Sequence, residues 1–187
     1  SKAGSIVTNE VVGIVVCDSV SCGDCSSPST GCDKIFAVTK TAGGSPSTRA
    51  DIVYSIDKGL NWYAHDIESL GATEDPTDVG CLGSCVVVTS KVVPAIHYAL
   101  KSEMDTITDP AWTAVTTGFV ASKGPNAIWS LGNIAFIVGV GGYIYKLTEV
   151  TAGVTVLEAG SVTLSDLNDV YALSEEYLIA VGNNGVI

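Results

Sequence analysis

The sequence predicts an all-β fold made of β-propeller blades, about three of them and the start of a fourth, in a partial or open propeller. Three observations predict it. Val, Ile, Thr and Tyr are abundant and punctuated by 20 glycines, while no apolar period of 3.6 residues persists for ten residues, so strands are expected and helices are not. The chain repeats itself at an interval in the forties, the spacing of four short strands per propeller blade. Of its 187 residues 47% are hydrophobic and only 16% charged, enough apolar material for one buried core and too little chain for two comfortable domains.

The repeat is clearest toward the end of the chain. "PNAIWSLGNIAFIVGVGGYIYKL" (125–147) aligns with "LNDVYALSEEYLIAVGNNGVI" (167–187). Ile128 matches Val170, Trp129 matches Tyr171 and Leu131 matches Leu173; after a one-residue insertion Gly139 matches Gly182 and Gly142 matches Gly185. "PTDVGCLGSCVVVTSKVVPAIHYAL" (76–100) is another copy, with Val79 in the place of Ile128. The first copy starts at "NEVVGIVVC" (9–17), continues at "DKIFAVTKTAGG" (33–44) and "ADIVYSIDKGLNWYAHDI" (50–67), and carries an insertion at 18–31. The blades are therefore placed at 9–75, 76–124, 125–166 and 167–187, the last incomplete. A lone four-stranded blade has two apolar faces, and radial stacking buries each against a neighbour. Strand one of each copy is expected near the axis and strand four at the outer edge. "GVGG" and "GNNG" supply residues tolerant of positive φ between strands two and three. "IESL" (67–70) and "LSDLND" (164–169) are helix-like but too short to be helices.

"YSIDKGLNW" (54–62) falls at the turn between strands three and four of the first copy. Its pattern, S-x-D-x-G-x-x-W, suits a hairpin staple. Asp57 accepts hydrogen bonds from turn N–H groups, Gly59 takes a conformation closed to residues with a Cβ, and Trp62 packs under the hairpin. Ser55, Asp57, Gly59 and Trp62 resemble the Asp box of bacterial neuraminidase-repeat propellers. The whole-chain pattern, "DVYAL…LIAVGNNGVI" above all, is similar to propellers of the photosystem II assembly-factor type. In the second copy Tyr98 and Trp112 keep the flanking positions but "KSEMDTITDPA" replaces the turn, and the third copy lacks the box. The resemblance implies a propeller and leaves activity open, because propellers host many functions. A sialidase would hold its substrate carboxylate with an arginine cluster, and Arg49 is the sole arginine here.

Six cysteines divide into Cys17, Cys22, Cys25 and Cys32 around the insertion, and Cys81 and Cys85 in a hairpin. Disulfides are expected for Cys17–Cys32 and Cys81–Cys85, with Cys22–Cys25 as a further pair. A zinc site on "CGDC" and free thiols are the competing readings. Disulfides imply an oxidising setting. His65 and His97 each read as structural histidines. "GVGGYIYK" (139–146) lacks the G-K-[ST] ending of a phosphate loop, and no G-x-S-x-G elbow occurs. The acidic clusters "SEE" (174–176) and "TEDPTD" (73–78) match no calcium loop. No catalytic, cofactor or metal residues are therefore assigned.

The net charge of −11 leaves no basic patch for duplex nucleic acid or anionic membranes, and "IAFIVGVGGYI" (134–144) is too short and glycine-broken to span a bilayer. No initiator Met or signal peptide is seen, and the chain stops within a strand-like pattern, so it is expected to be a processed or partial chain. The function expected is non-catalytic: an interaction protein of a larger assembly, in a virion or outside the cell, and foremost a bacteriophage tail or capsid component, since propellers of this repeat type resemble proteins encoded among phage genes. A secreted carbohydrate-binding or glycosidase propeller is one alternative, and an assembly factor for a membrane complex is another. The partners expected are other protein chains, and buried contacts through 169–187 are expected either with another chain or with a further part of this one.

Overall fold

The computed structural model describes residues 10–18, 33–40, 51–71, 74–93, 95–105, 110–150 and 153–187. Fourteen strands lie along them: β1 (Glu10–Asp18), β2 (Asp33–Lys40), β3 (Ile52–Ser55), β4 (Tyr63–His65), β5 (Pro76–Leu82), β6 (Cys85–Ser90), β7 (Ala95–Leu100), β8 (Thr113–Val115), β9 (Pro125–Leu131), β10 (Ile134–Gly139), β11 (Tyr143–Val150), β12 (Gly153–Ser161), β13 (Leu167–Ala172) and β14 (Leu178–Gly182). They form three four-stranded sheets, β1–β4, β5–β8 and β9–β12, and a two-stranded sheet, β13–β14. Every sheet is an antiparallel meander in chain order, which short loops permit and parallel pairing would not. These are propeller blades, as the sequence predicts.

Alternation along each strand divides its residues between two faces. The face turned to the preceding sheet is here the leading face; the one turned to the following sheet is the trailing face. Phe36, Val38, Ile52 and Tyr54 on the trailing face of the first sheet meet Val79, Val86, Val88 and Ala99 on the leading face of the second. Leu82, Cys85, Val87 and Ile96 then meet Ile128, Ala135, Ile137 and Tyr145. Ala127, Phe136 and Val138 meet Leu167, Val170 and Ala172. Each junction is thus trailing face on leading face. Most of these side chains are fully buried, and each such burial contributes about 1.5–3 kcal/mol.

The strand that opens each sheet carries one extra residue near its start. The pairing skips Val12 in β1, Thr77 in β5, Asn126 in β9 and Asn168 in β13. A bulge at the same place in four copies re-aims the residues beside it. The polar ones among them are all bonded: Thr77 Oγ1 to Thr89 Oγ1 at 2.7 Å, Asn126 Nδ2 to the Leu167 carbonyl at 2.7 Å, and Asn168 Nδ2 to Asn183 Oδ1 at 2.8 Å.

The cysteine pairing differs from expectation. Cys17 is joined to Cys81, with Cα atoms 5.7 Å apart and a sequence separation of 64. Alternation explains why. Cys81 sits opposite Val86 and Cys85 opposite Leu82, so Cys81 and Cys85 point to opposite faces and cannot join. Cys81 lies on the leading face and Cys17 on the trailing face of the sheet before it, so the bond crosses a blade junction. Cys85 is a buried free thiol. With Cys17 committed to Cys81, the Cys17–Cys32 pair is excluded. Cys22, Cys25 and Cys32 lie outside the described residues.

Candidate functional site

The 54–62 hairpin brings its four singled-out residues together. Ser55, fully buried at the end of β3, accepts from the Gly59 N–H at 2.8 Å and the Asp57 N–H at 3.3 Å, and donates to Asp57 Oδ1 at 2.8 Å. Asp57 also accepts from the Asn61 backbone N–H at 2.8 Å and from Asn61 Nδ2 at 2.6 Å. The Asn61 backbone N–H is the main reason its carboxyl lies below the usual aspartate value. Gly59 has φ 87° and Lys58 φ 60°, a left-handed pair of which the sequence signals only the glycine. Trp62, half-buried just before β4, donates its indole N–H to the Gly59 carbonyl at 3.1 Å. Every polar atom of the motif thus serves the turn itself, and the arrangement is structural.

The opening strands β1, β5, β9 and β13 line a groove of about 730 Å³ that holds Asp78, Lys101, Ser130 and Asp169. Asp78 is the group with unusual chemistry there. Its carboxylate accepts from its neighbour Val79 N–H at 2.8 Å and from Ile128 N–H of the next sheet at 2.9 Å. A Cβ on Gly13 of the preceding sheet would lie 2.4 Å from Asp78 Oδ1, so the side chain fits only because residue 13 is glycine. The carboxylate therefore ties the second sheet to the third and packs closely on Gly13 of the first. Burial raises its pKa to about 6 against the pull of those two N–H groups, with Asp169 adding repulsion. Ser130 Oγ, also in this groove, is buried with no hydrogen-bond partner.

A second crevice, about 480 Å³, opens between the second and third sheets and contains Ser84, Cys85, Tyr98, Glu103, Asn133 and Glu149. Glu149 accepts from the Ser84 N–H at 2.9 Å and from the Ser84 hydroxyl, and the Cys85 thiol donates to it at 3.8 Å. Burial raises the Cys85 pKa, which favours the inert thiol. His97 bonds Ser69 Oγ at 2.8 Å and Ser90 Oγ at 3.1 Å through its two ring nitrogens; both it and Ser90 are buried. His65 bonds and stacks on Tyr54. Among the described residues no group of three or more His, Cys, Asp or Glu is placed to hold a metal ion, and no helix is long and apolar enough to cross a membrane.

The remaining feature is a face. On the trailing side of the fourth sheet Leu173, Ile179 and Val181 are 72%, 57% and 42% exposed. The register makes Phe136 and Val138 the third-sheet counterparts of Ile179 and Val181, and these are 4% and 0% exposed. Tyr171 joins this face at its inner end, where it meets Trp129 with ring centroids 4.5 Å apart. The signal was present in the repeat, where Leu173 aligns with Leu131.

No family model and no curated protein matches the sequence, so the likeness of 54–62 to an Asp box is one of local pattern. The fold is similar to that of a solved β-propeller, YCF48 from Cyanidioschyzon merolae, with a TM-score of 0.60 at 12% identity. The match covers 95% of this chain and 49% of that one, so the chain spans about half the length of the propeller it resembles. At that identity the likeness is one of fold.

Proposed function

We propose that the protein is a non-catalytic interaction module that works by protein–protein contact through the trailing face of its fourth sheet. The observation that carries this reading is the exposure of Ile179 and Val181 at positions that are buried blade contacts in the sheet before, with Leu173 exposed beside them. An apolar face of this kind is a binding surface. The titratable groups support the same reading: Asp57 is spent on its turn, Asp78 on a sheet junction and His97 on two serines. The Cys17–Cys81 bond favours an oxidising location, which agrees with a virion or extracellular assembly; the bacteriophage setting itself rests on the repeat resemblance alone. The second reading is an assembly factor for a membrane complex, favoured by the likeness to the YCF48 fold together with the sequence resemblance to assembly-factor propellers.

A photo-crosslinking residue at Ile179, compared with one at the exposed Leu60 in the 54–62 hairpin, tests the reading in the native assembly. Adducts to a protein chain are expected from 179 and not from 60. An unreactive position 179, or hydrolysis of a sialoside by the purified chain, would overturn it.

A further inference from the structure

We propose that Ser69 is an activated nucleophile with His97 as its general base, a modification site that takes an acyl group from an activated ester of a small acid. The reaction is stoichiometric, one group per chain, and is independent of the interaction reading above. His97 is committed to two serines, and one of them is the nucleophile.

The hydroxyl is placed by the chain around it. Ser69 lies in the connection from β4 to β5, in a turn that the Leu70 N–H closes on the Ile67 carbonyl at 2.8 Å. Ile67 and Leu70 are buried, and the fully buried Asp51 accepts the Ile67 N–H at 3.2 Å. The turn is thus anchored by its neighbours, and the Ser69 hydroxyl bonds His97 Nδ1, on β7 of the second sheet, at 2.8 Å.

The other side of the ring fixes where the protons are. Glu74 Oε1 accepts the Val93 N–H at 2.9 Å and holds residue 93 in place. Ser90 donates its hydroxyl to the Val93 carbonyl at 3.2 Å. A hydroxyl has one proton to give, so Ser90 Oγ accepts from His97 Nε2, 3.1 Å away. The neutral ring therefore carries its proton on Nε2, and the Nδ1 lone pair faces the Ser69 hydroxyl. A serine that donates to a base, which a third group orients in turn, is the arrangement that activates a hydroxyl.

Burial suits the same roles. His97 and Ser90 are buried while Ser69 is partly exposed, so the base is kept from water and the nucleophile is not. Burial lowers the His97 pKa, and Glu74 and Asp51 pull it back up; its partners in register, Val88 on β6 and Ala114 on β8, carry no charge. The ring is therefore uncharged above 6.5, and the two carboxylates favour the imidazolium once it takes a proton. In the step, Ser69 Oγ bonds the acyl carbon, the hydroxyl proton passes to His97 Nδ1, and the bond to the leaving oxygen breaks. That oxygen then takes the proton from Nδ1.

A small alkyl fluorophosphonate tests this on the 187-residue chain, since at an activated serine a P–O bond forms as fluoride leaves. Peptide mapping by mass should find the adduct on Ser69, formed on the order of 10²-fold faster than at the exposed Ser174, the help a general base gives. The rate at Ser69 should fall in acid with a midpoint below 6.5, as His97 gains its proton. His97→Gln, shown to be folded by its urea transition, should bring Ser69 down to the rate of Ser174. Labelling of Ser69 no faster than that of Ser174 overturns the proposal. So does a wild-type rate at Ser69 with no inflection below 6.5, a measurement that needs no variant to fold. Fast labelling that survives in folded His97→Gln overturns the role of the base.

Discussion

Ser55 holds the 54–62 turn through three hydrogen bonds while fully buried. Ser55→Ala leaves the Gly59 N–H without its acceptor and should cost about 1–3 kcal/mol, read from the urea midpoint. Trp62→Ala should cost no more than about 1–3 kcal/mol, below the range for a fully buried aromatic, because the side chain is only partly buried. A larger loss would mean that the indole holds more than its own hairpin. This motif was legible because its bonds span only two to four residues. Asp78 was not legible, because its neighbours come from residues 13 and 128. Its folded pKa of about 6 stands above the usual aspartate value of 3.8, so the folded chain binds the proton more tightly than the unfolded one. That contribution is complete below 3.8 and is lost as pH rises through about 6, a change on the order of 3 kcal/mol. His97 acts the other way. Burial lowers its pKa from 6.5, so its contribution is present above 6.5 and falls away as acid forces a proton onto it. Asp78→Asn removes one of these slopes, so its stability relative to wild type should climb between pH 3.8 and about 6. A flat difference across that window, in urea titrations at successive pH values, would show that Asp78 does not titrate there.

Strands and their order could be read from alternation and glycine spacing, since both are local. Gly139 and Gly182 show why the spacing holds. A Cβ on either would lie 2.2 Å from a backbone oxygen, that of Gly124 or of Asp166, and the residue after each glycine donates its N–H to that same oxygen. The bulges left no such mark, because no single residue type fills the place, which Val12, Thr77, Asn126 and Asn168 occupy in turn. The disulfide was misread for a related reason. Hairpin proximity suggested Cys81–Cys85, but face alternation decides which thiols can meet, and the true partner lies on another sheet. A bond spanning 64 residues removes enough unfolded-chain freedom to stabilise by roughly 4 kcal/mol. Cys17→Ser should therefore lower the urea midpoint substantially. Non-reducing peptide mapping should return the 17 and 81 peptides joined. Recovery of a 17–32 peptide pair instead would refute this junction.

At the scale of the whole molecule, stability is a sum over blades and the junctions between them. The second and third sheets each have a neighbour on both faces. The fourth has two strands and one covered face, so it contributes least and should open first. Local opening of this kind sets amide exchange. The amides of β14 should exchange fastest among the described sheet residues, and those of β6 and β10, each paired on both edges, slowest. Uniform protection would mean that the hairpin unfolds only with the rest of the chain. In that case the 167–187 segment belongs to the same cooperative unit as the blades before it, and its exposed leucine and isoleucine are held in place by the Trp129–Tyr171 contact and the buried Leu167, Val170 and Ala172 beneath them.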